Sequence, residues 1–166
     1  GRPEYRLLPI EPHVDSDGAP LPPRGLRRLP EPSPGDLFLD LEGDPFGRDV
    51  IGGESGEGSR EYLFGLGWVD EAGEFRYRAS WAFDDGEERR AFEEVMDEIA
   101  RVIQSHPGAH VYHYAPYEPS AFKRLSGRYA TRAEALDELL RGGRFVDLYA
   151  VVRESVRAGV ESYSIK

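Results

Sequence analysis

GDLFLDLEGDPFG, residues 35–47, is the stretch from which the rest of the chain is read. Leu37, Leu39 and Leu41 alternate with Phe38, Asp40 and Glu42, the period of a β-strand. Asp40 and Glu42 therefore share one face, about 7 Å apart along the backbone. Two neighbouring carboxylates repel each other, and each is costly to bury without compensation. A bound divalent cation removes both penalties. The alternative is an exposed strand end carrying two solvated acids.

Downstream, YLFGLGWV (62–69) and EFRYRASWAF (74–83) are aromatic-rich strands joined by DEAG, a hairpin signal. The glycine-rich GDPFGRDVIGGESGEGSRE (43–61) connects the first strand to this hairpin and lacks the Gly-Lys-Ser/Thr ending of a phosphate-binding P-loop. Asp85 to Glu88 reads as a capping box for a helix carrying Phe92, Val95, Met96, Ile99 and Ile103, ended by Pro107-Gly108. AHVYHYA (109–115) is a fourth strand, followed by a helix with Phe122 and Leu125. Thr131, with Glu134 as its reciprocal cap, opens a helix carrying Leu136, Leu139 and Leu140. RFVDLY (144–149) is a short strand running into the helix AVVRESVRA, and Ser162 or Ser164 in the final ESYSIK caps a further helix. The order β-β-β-α-β-α-α-β-α predicts an α/β fold. Three antiparallel strands come first, and two later strands lie parallel to the first.

With 166 residues, 39% of them hydrophobic and 31% charged, the chain has the size and composition of one soluble domain with an extension. Prolines crowd residues 1–35, which reads as a linker or a wrapped arm, and the domain proper is placed at 36–166. The absence of cysteine excludes disulfides and thiolate metal sites. No apolar run of about 18 residues and no signal-peptide layout are present, so a soluble cytoplasmic protein without a membrane partner is expected. A net charge of −10 argues against nonspecific coating of nucleic acid. The charge is uneven, however: acids concentrate between Asp36 and Glu98, while arginines gather between Lys123 and Arg157. That division suits an enzyme holding cations and then an anionic substrate, or plain solvated helix faces.

Hard oxygen ligands without His or Cys favour Mg²⁺ or Mn²⁺, and two such ions support phosphodiester hydrolysis. Glu118 stands where the fourth strand turns into a helix. It either joins Asp40 and Glu42 at the carboxyl ends of adjacent parallel strands or serves as N-terminal helix charge. Asp147 is an auxiliary acid or a helix N-cap. Asp44 lines the site or shapes the turn before Pro45. His113 contacts phosphate or is a hydrogen-bonded structural residue; His110, three residues away, faces the opposite side. Tyr112, Tyr114 and Tyr117 stack on bases or fill core. Lys123, Arg124 and Arg128 contact backbone phosphates or are surface residues.

Taken together, DLFLDLEGDP, HVYHYAPYEPSAFKRL and FVDLYAVVRESV resemble the ribonuclease H-like exonuclease superfamily of the DEDD type. More narrowly, PEPSPGDLFLDLEGDPF, YHYAPYE, VDLY and SYSIK are similar to the ribonuclease H-like domain of RecB-family nucleases, often joined to helicase modules. The likeness spans residues 26–166. It implies a mixed sheet of order 3-2-1-4-5 with flanking helices, and it maps the metal-binding Asp-x-Glu pair onto Asp40 and Glu42. The second motif falls on Tyr117-Glu118, with Glu where the family usually carries Asp. The family's last acid lies on a helix after SYSIK, so a longer protein with a truncated C-terminal helix here is expected.

The resemblance implies a metal-dependent 3′-5′ exonuclease. Asp40, Glu42 and Glu118 are its catalytic and metal-binding acids, and Tyr114, Tyr117, Lys123 and Arg124 are its nucleic-acid contacts. The substrate is DNA rather than RNA, and a helicase or second nuclease domain lies in the same chain. The rival from another class is a noncatalytic module that positions nucleic acid for such a partner. A glycosidase-like pair is disfavoured, because its two acids must flank a sugar from separate elements.

Overall fold

The computed structural model describes residues 4–10, 14–45, 59–159 and 163. The strand read from Leu37, Leu39 and Leu41 is β2 (Leu37–Asp44), and those three leucines are buried while Phe38 and Asp40 are exposed. Asp36 fastens its start: one carboxylate oxygen accepts from the Ser33 amide at 2.9 Å, the other from the His110 amide at 3.0 Å. Around it stand β3 (Arg60–Val69), β4 (Phe75–Trp81), β5 (Val111–His113) and β6 (Phe145–Asp147), in the order β4-β3-β2-β5-β6. β2 and β4 run antiparallel to β3, while β5 lies parallel to β2 and β6 parallel to β5. This is the expected 3-2-1-4-5 arrangement, with the strand of the acid pair at its centre.

Helices α1 (Asp85–Ser105), α2 (Tyr117–Tyr129) and α3 (Ala133–Arg141) bury their apolar sides against the leucine face. Phe92 of α1 meets Phe122 of α2 edge to face at 5.3 Å, and both are fully buried. Loss of one such ring costs about 3–5 kcal/mol. The fourth helix, α4 (Leu148–Ser155), follows β6 and packs by Tyr149 against Tyr114, whose neighbour Tyr112 stacks on Phe38.

Several boundaries differ from the sequence expectation, each for a local reason. The cap of α1 is Asp84, not Asp85: its carboxylate accepts from the Glu87 amide at 2.7 Å, and Glu87 returns the bond to the Phe83 amide at 2.8 Å. That shift frees Glu88 for the interior. Thr131 does not cap α3, because Glu93 and Arg132 engage its hydroxyl. Instead Arg132, in left-handed backbone at φ 56° and paired to Asp97, precedes the helix.

AHVYHYA yields only three strand residues, since Ala115 turns at φ 69° and its amide is taken by Asp147. AVVRESVRA is helical only to Ser155; Val156–Ala158 forms β7, antiparallel to β1 (Tyr5–Leu7) from the proline-rich segment. That segment also forms a 3₁₀ turn, Gly25–Arg28, held against α4 by Glu154. Most of the glycine-rich connection and the proposed caps Ser162 and Ser164 lie outside the described residues.

Candidate active site

In the β2–β3 ladder Asp40 pairs with Gly65 and Glu42 with Leu63, on the face turned away from α1 and α2. Asp40 is exposed and Glu42 half-buried, so the expected desolvation penalty is largely absent. β3 carries glycine at 65 and 67, and the aromatic rings of β4 occupy the space above them. A Cβ at Gly67 would come 2.6 Å from the Phe75 ring, and one at Gly65 would strike the Tyr77 hydroxyl. Phe75 reaches Phe38 at 6.1 Å, and Phe38 stacks on Tyr112 at 5.5 Å. The acid pair thus stands at the border of an aromatic surface on which Phe75 is 60% and Tyr77 54% exposed. Burial raises the Tyr77 hydroxyl above its ordinary range, and the charges of Asp40 and Glu42 raise it further. Tyr77 is consequently a neutral donor beside two carboxylates. It was not anticipated from sequence, although the Gly-x-Gly of β3 facing Phe-x-Tyr of β4 is the pattern that could have found it.

The opposite face holds a second group of acids. A register shift between Glu42 and Gly43 makes Glu61 face Gly43 and leaves Tyr62 as the extra residue of β3. Regular alternation would put Glu61 on the face of Leu63; the bulge turns it towards α2 instead. There Glu61 is fully buried, accepting from the Tyr117 hydroxyl at 2.8 Å and pairing with Arg124. Burial raises its carboxyl above the usual range, against the lowering influence of Tyr117 and Arg124. Glu88, also fully buried, accepts from the Glu61 amide at 2.6 Å, from Arg128 at 3.1 Å and from Tyr129.

The candidates divide between these surroundings. Tyr117 and Arg124 belong to the Glu61 group and Arg128 to Glu88, while Lys123 is exposed. Glycine at 43 lets the Tyr117 hydroxyl rest against β2, so the start of α2 does reach the carboxyl end of the central strand. Glu118, one residue on, is buried at 4% exposure with its Oε2 lacking a hydrogen-bond partner. That oxygen lies 3.5 Å from His113 Nδ1, but the ring nitrogen donates to the Ala115 carbonyl at 2.7 Å. Asp147 caps α4, accepting from the Tyr149 amide at 2.9 Å and the Ala115 amide at 3.0 Å. Asp44 ends β2 in solvent, and the Tyr114 hydroxyl donates to the Tyr163 carbonyl.

Asp40 and Glu42 offer hard oxygen donors on one exposed face, the donor chemistry of Mg²⁺ or Mn²⁺. The orphaned Oε2 of Glu118 is a further buried acceptor near the same end of the sheet. Among the described residues no three His, Cys, Asp or Glu side chains are gathered in a metal-holding cluster. No described helix is long and apolar enough to cross a membrane.

The RNase_H_2 family model, of the RNase H superfamily, matches residues 37–166. The match begins at the first residue of β2 and takes in the acid pair, Glu118 and α4. Comparison with curated proteins and with solved structures returns no match.

Proposed function

We propose, from the premise that the chain belongs to the RNase_H_2 family of the RNase H superfamily, that it is a metal-dependent nuclease. Superfamily membership points to nuclease-like processing of nucleic acid. The finer assignment is a 3′-5′ exonuclease acting on DNA within a larger DNA-processing protein that also carries a helicase or second nuclease. The observation that carries the reading is the placement of Asp40 and Glu42. They lie side by side on the open face of the central strand, near its carboxyl end.

In this assignment Asp40 and Glu42 hold Mg²⁺ or Mn²⁺, and Glu118 is the third acid. The ions, when bound, polarise the phosphodiester and favour attack by water. Tyr77, kept protonated by its burial and by the charges of the two acids, borders the site as a neutral hydroxyl. The exposed rings of Phe75 and Tyr77 offer stacking surfaces to unpaired bases. No covalent intermediate is required, so the protein's share is positioning and charge.

The test is degradation of 5′-labelled single- and double-stranded DNA with Mg²⁺ or Mn²⁺, with Asp40→Asn as control. A ladder shortening from the 3′ end, stopped by a blocked 3′ terminus, is the expected result. No degradation above the control with either metal overturns the catalytic assignment. One observation favours the noncatalytic alternative: the buried Glu118 faces His113. Retained DNA binding without cleavage is its signature.

A further inference from the structure

The proline-rich arm and α4 enclose a cleft of about 680 Å³, remote in sequence from the acid pair. The arm is fastened at two points. β1 pairs with β7, and the 3₁₀ turn docks on Glu154, which accepts from the Gly25 amide at 2.7 Å and from Arg28 at 2.8 and 3.0 Å. The one carboxylate of the cleft wall is thereby already neutralised. Arg24, Arg27, Arg153 and Arg157 also line the cleft, and the charge of Arg24 helps to lower the Glu154 carboxyl. Arg157 donates only to the carbonyls of Arg153 and Val156, and Arg153 lies 5.7 Å over the Tyr149 ring. Four guanidiniums around one carboxylate, itself bonded to Arg28, give this concavity a positive excess in a chain of net charge −10.

A second observation is independent of charge. Ser155 lines the same cleft at 5% exposure, and its hydroxyl has no hydrogen-bond partner. Gly25, at φ +57°, brings the arm backbone so near that a Cβ there would stand 2.8 Å from this hydroxyl. The remaining wall is apolar, with Leu8, Ile10, Leu21 and Leu26. A ligand that satisfies all three features carries several anionic oxygens for the guanidinium forks and a flat apolar portion for the wall.

We infer that the cleft between the arm and α4 binds the phosphate of a nucleotide, either free or as a unit of a nucleic-acid strand. The arm side of the cleft lies outside residues 37–166 and the α4 side inside them, so the family match covers only part of this site. Tyr163 links it to the open sheet face, because it lines the cleft and its carbonyl accepts from Tyr114. The inference does not depend on catalysis and is tested without it.

Binding of a fluorescein-labelled oligothymidylate and of ATP is measured at low salt in the Asp40→Asn protein. Binding weakens steeply as salt rises. The double variant Arg24→Ala/Arg153→Ala, folded by circular dichroism, binds about tenfold or more weakly. Ser155→Ala binds about threefold more weakly. Competition by ATP identifies a mononucleotide site, and binding of the oligonucleotide alone identifies a strand site; both support the inference. It is overturned if neither probe binds, if the folded double variant binds as tightly as its parent, or if a polyglutamate peptide displaces the probe as well as ATP does.

Discussion

Two pairs of acids stand on opposite faces of one sheet, and their surroundings differ in every respect. Asp40 and Glu42 project from the central strand onto an open aromatic face, Asp40 in solvent. Glu61 and Glu88 are fully buried between β3, α1 and α2, held by Tyr117, Arg124, Arg128 and Tyr129. A buried carboxylate costs several kcal/mol unless it is paired and hydrogen-bonded, and the second pair meets that condition. Its oxygens are committed to holding the helices on the sheet. The first pair lies on the face that α1 and α2 leave uncovered, where a ligand can reach it. The difference teaches that the two pairs are set apart by the face they occupy, one covered by helices and one open, not by acid content.

The sharpest way to break this contrast is to remove one acid from each face. Glu88→Ala strands Arg128 and Tyr129 and is expected to destabilise the fold by about 3–5 kcal/mol in denaturant unfolding, with activity per folded molecule retained. Asp40→Asn is expected to do the reverse: about a hundredfold or greater loss of nuclease activity, some 2.7 kcal/mol in the barrier, with an unchanged unfolding midpoint. If Asp40→Asn unfolds the protein, or Glu88→Ala leaves its stability intact, the contrast fails.

Asp147 tests an intermediate position. Asp147→Ala removes the α4 cap and is expected to cost about 1–2 kcal/mol, whereas Asp147→Asn, itself a good cap, restores most of it. Full activity in the Asn variant assigns Asp147 to structure; a loss confined to activity assigns it to the site.

The smallest effect concerns Glu154. Bonds from Arg28 and the Gly25 amide hold its carboxyl down to about 2, from an ordinary 4.5. Its contribution to arm docking is therefore complete above pH 4.5 and is lost as pH falls from there towards 2. Limited proteolysis of the arm by an acid-active protease follows this window, and Glu154→Gln removes its pH dependence.

Much of the fold was legible because its signals are short-range. The alternation at 37–42, the DEAG hairpin and the apolar periodicity of α1 each express a local preference that the core then uses. The central position of β2 followed from the order of elements, since antiparallel hairpins precede the helical crossovers. The adjacency of Asp40 and Glu42 was legible for the same reason: a strand allows residues two apart only one shared face.

Other features depended on contacts across long separations. Arg124 read as a phosphate-binding candidate, yet it meets Glu61, 63 residues earlier in the chain. Glu88 read as a surface cap until Asp84 took that place. The proline-rich segment read as a linker or arm, and its pairing with β7 needed partners at the far end of the chain, as Leu8 and Tyr5 show by meeting Ser155 and Ala158.

The sequence by itself determined the order of elements, the sheet topology and the shared face of Asp40 and Glu42, because period and connection chemistry are properties of neighbouring residues. Only the tertiary structure decided which face of that sheet is covered. It also decided that a single extra residue, Tyr62, turns Glu61 into the interior, and that arginines from the arm and α4 share one cleft. Those outcomes depend on register and packing between distant segments, where one residue of slip reverses a side chain's face and one ion pair redirects a charge.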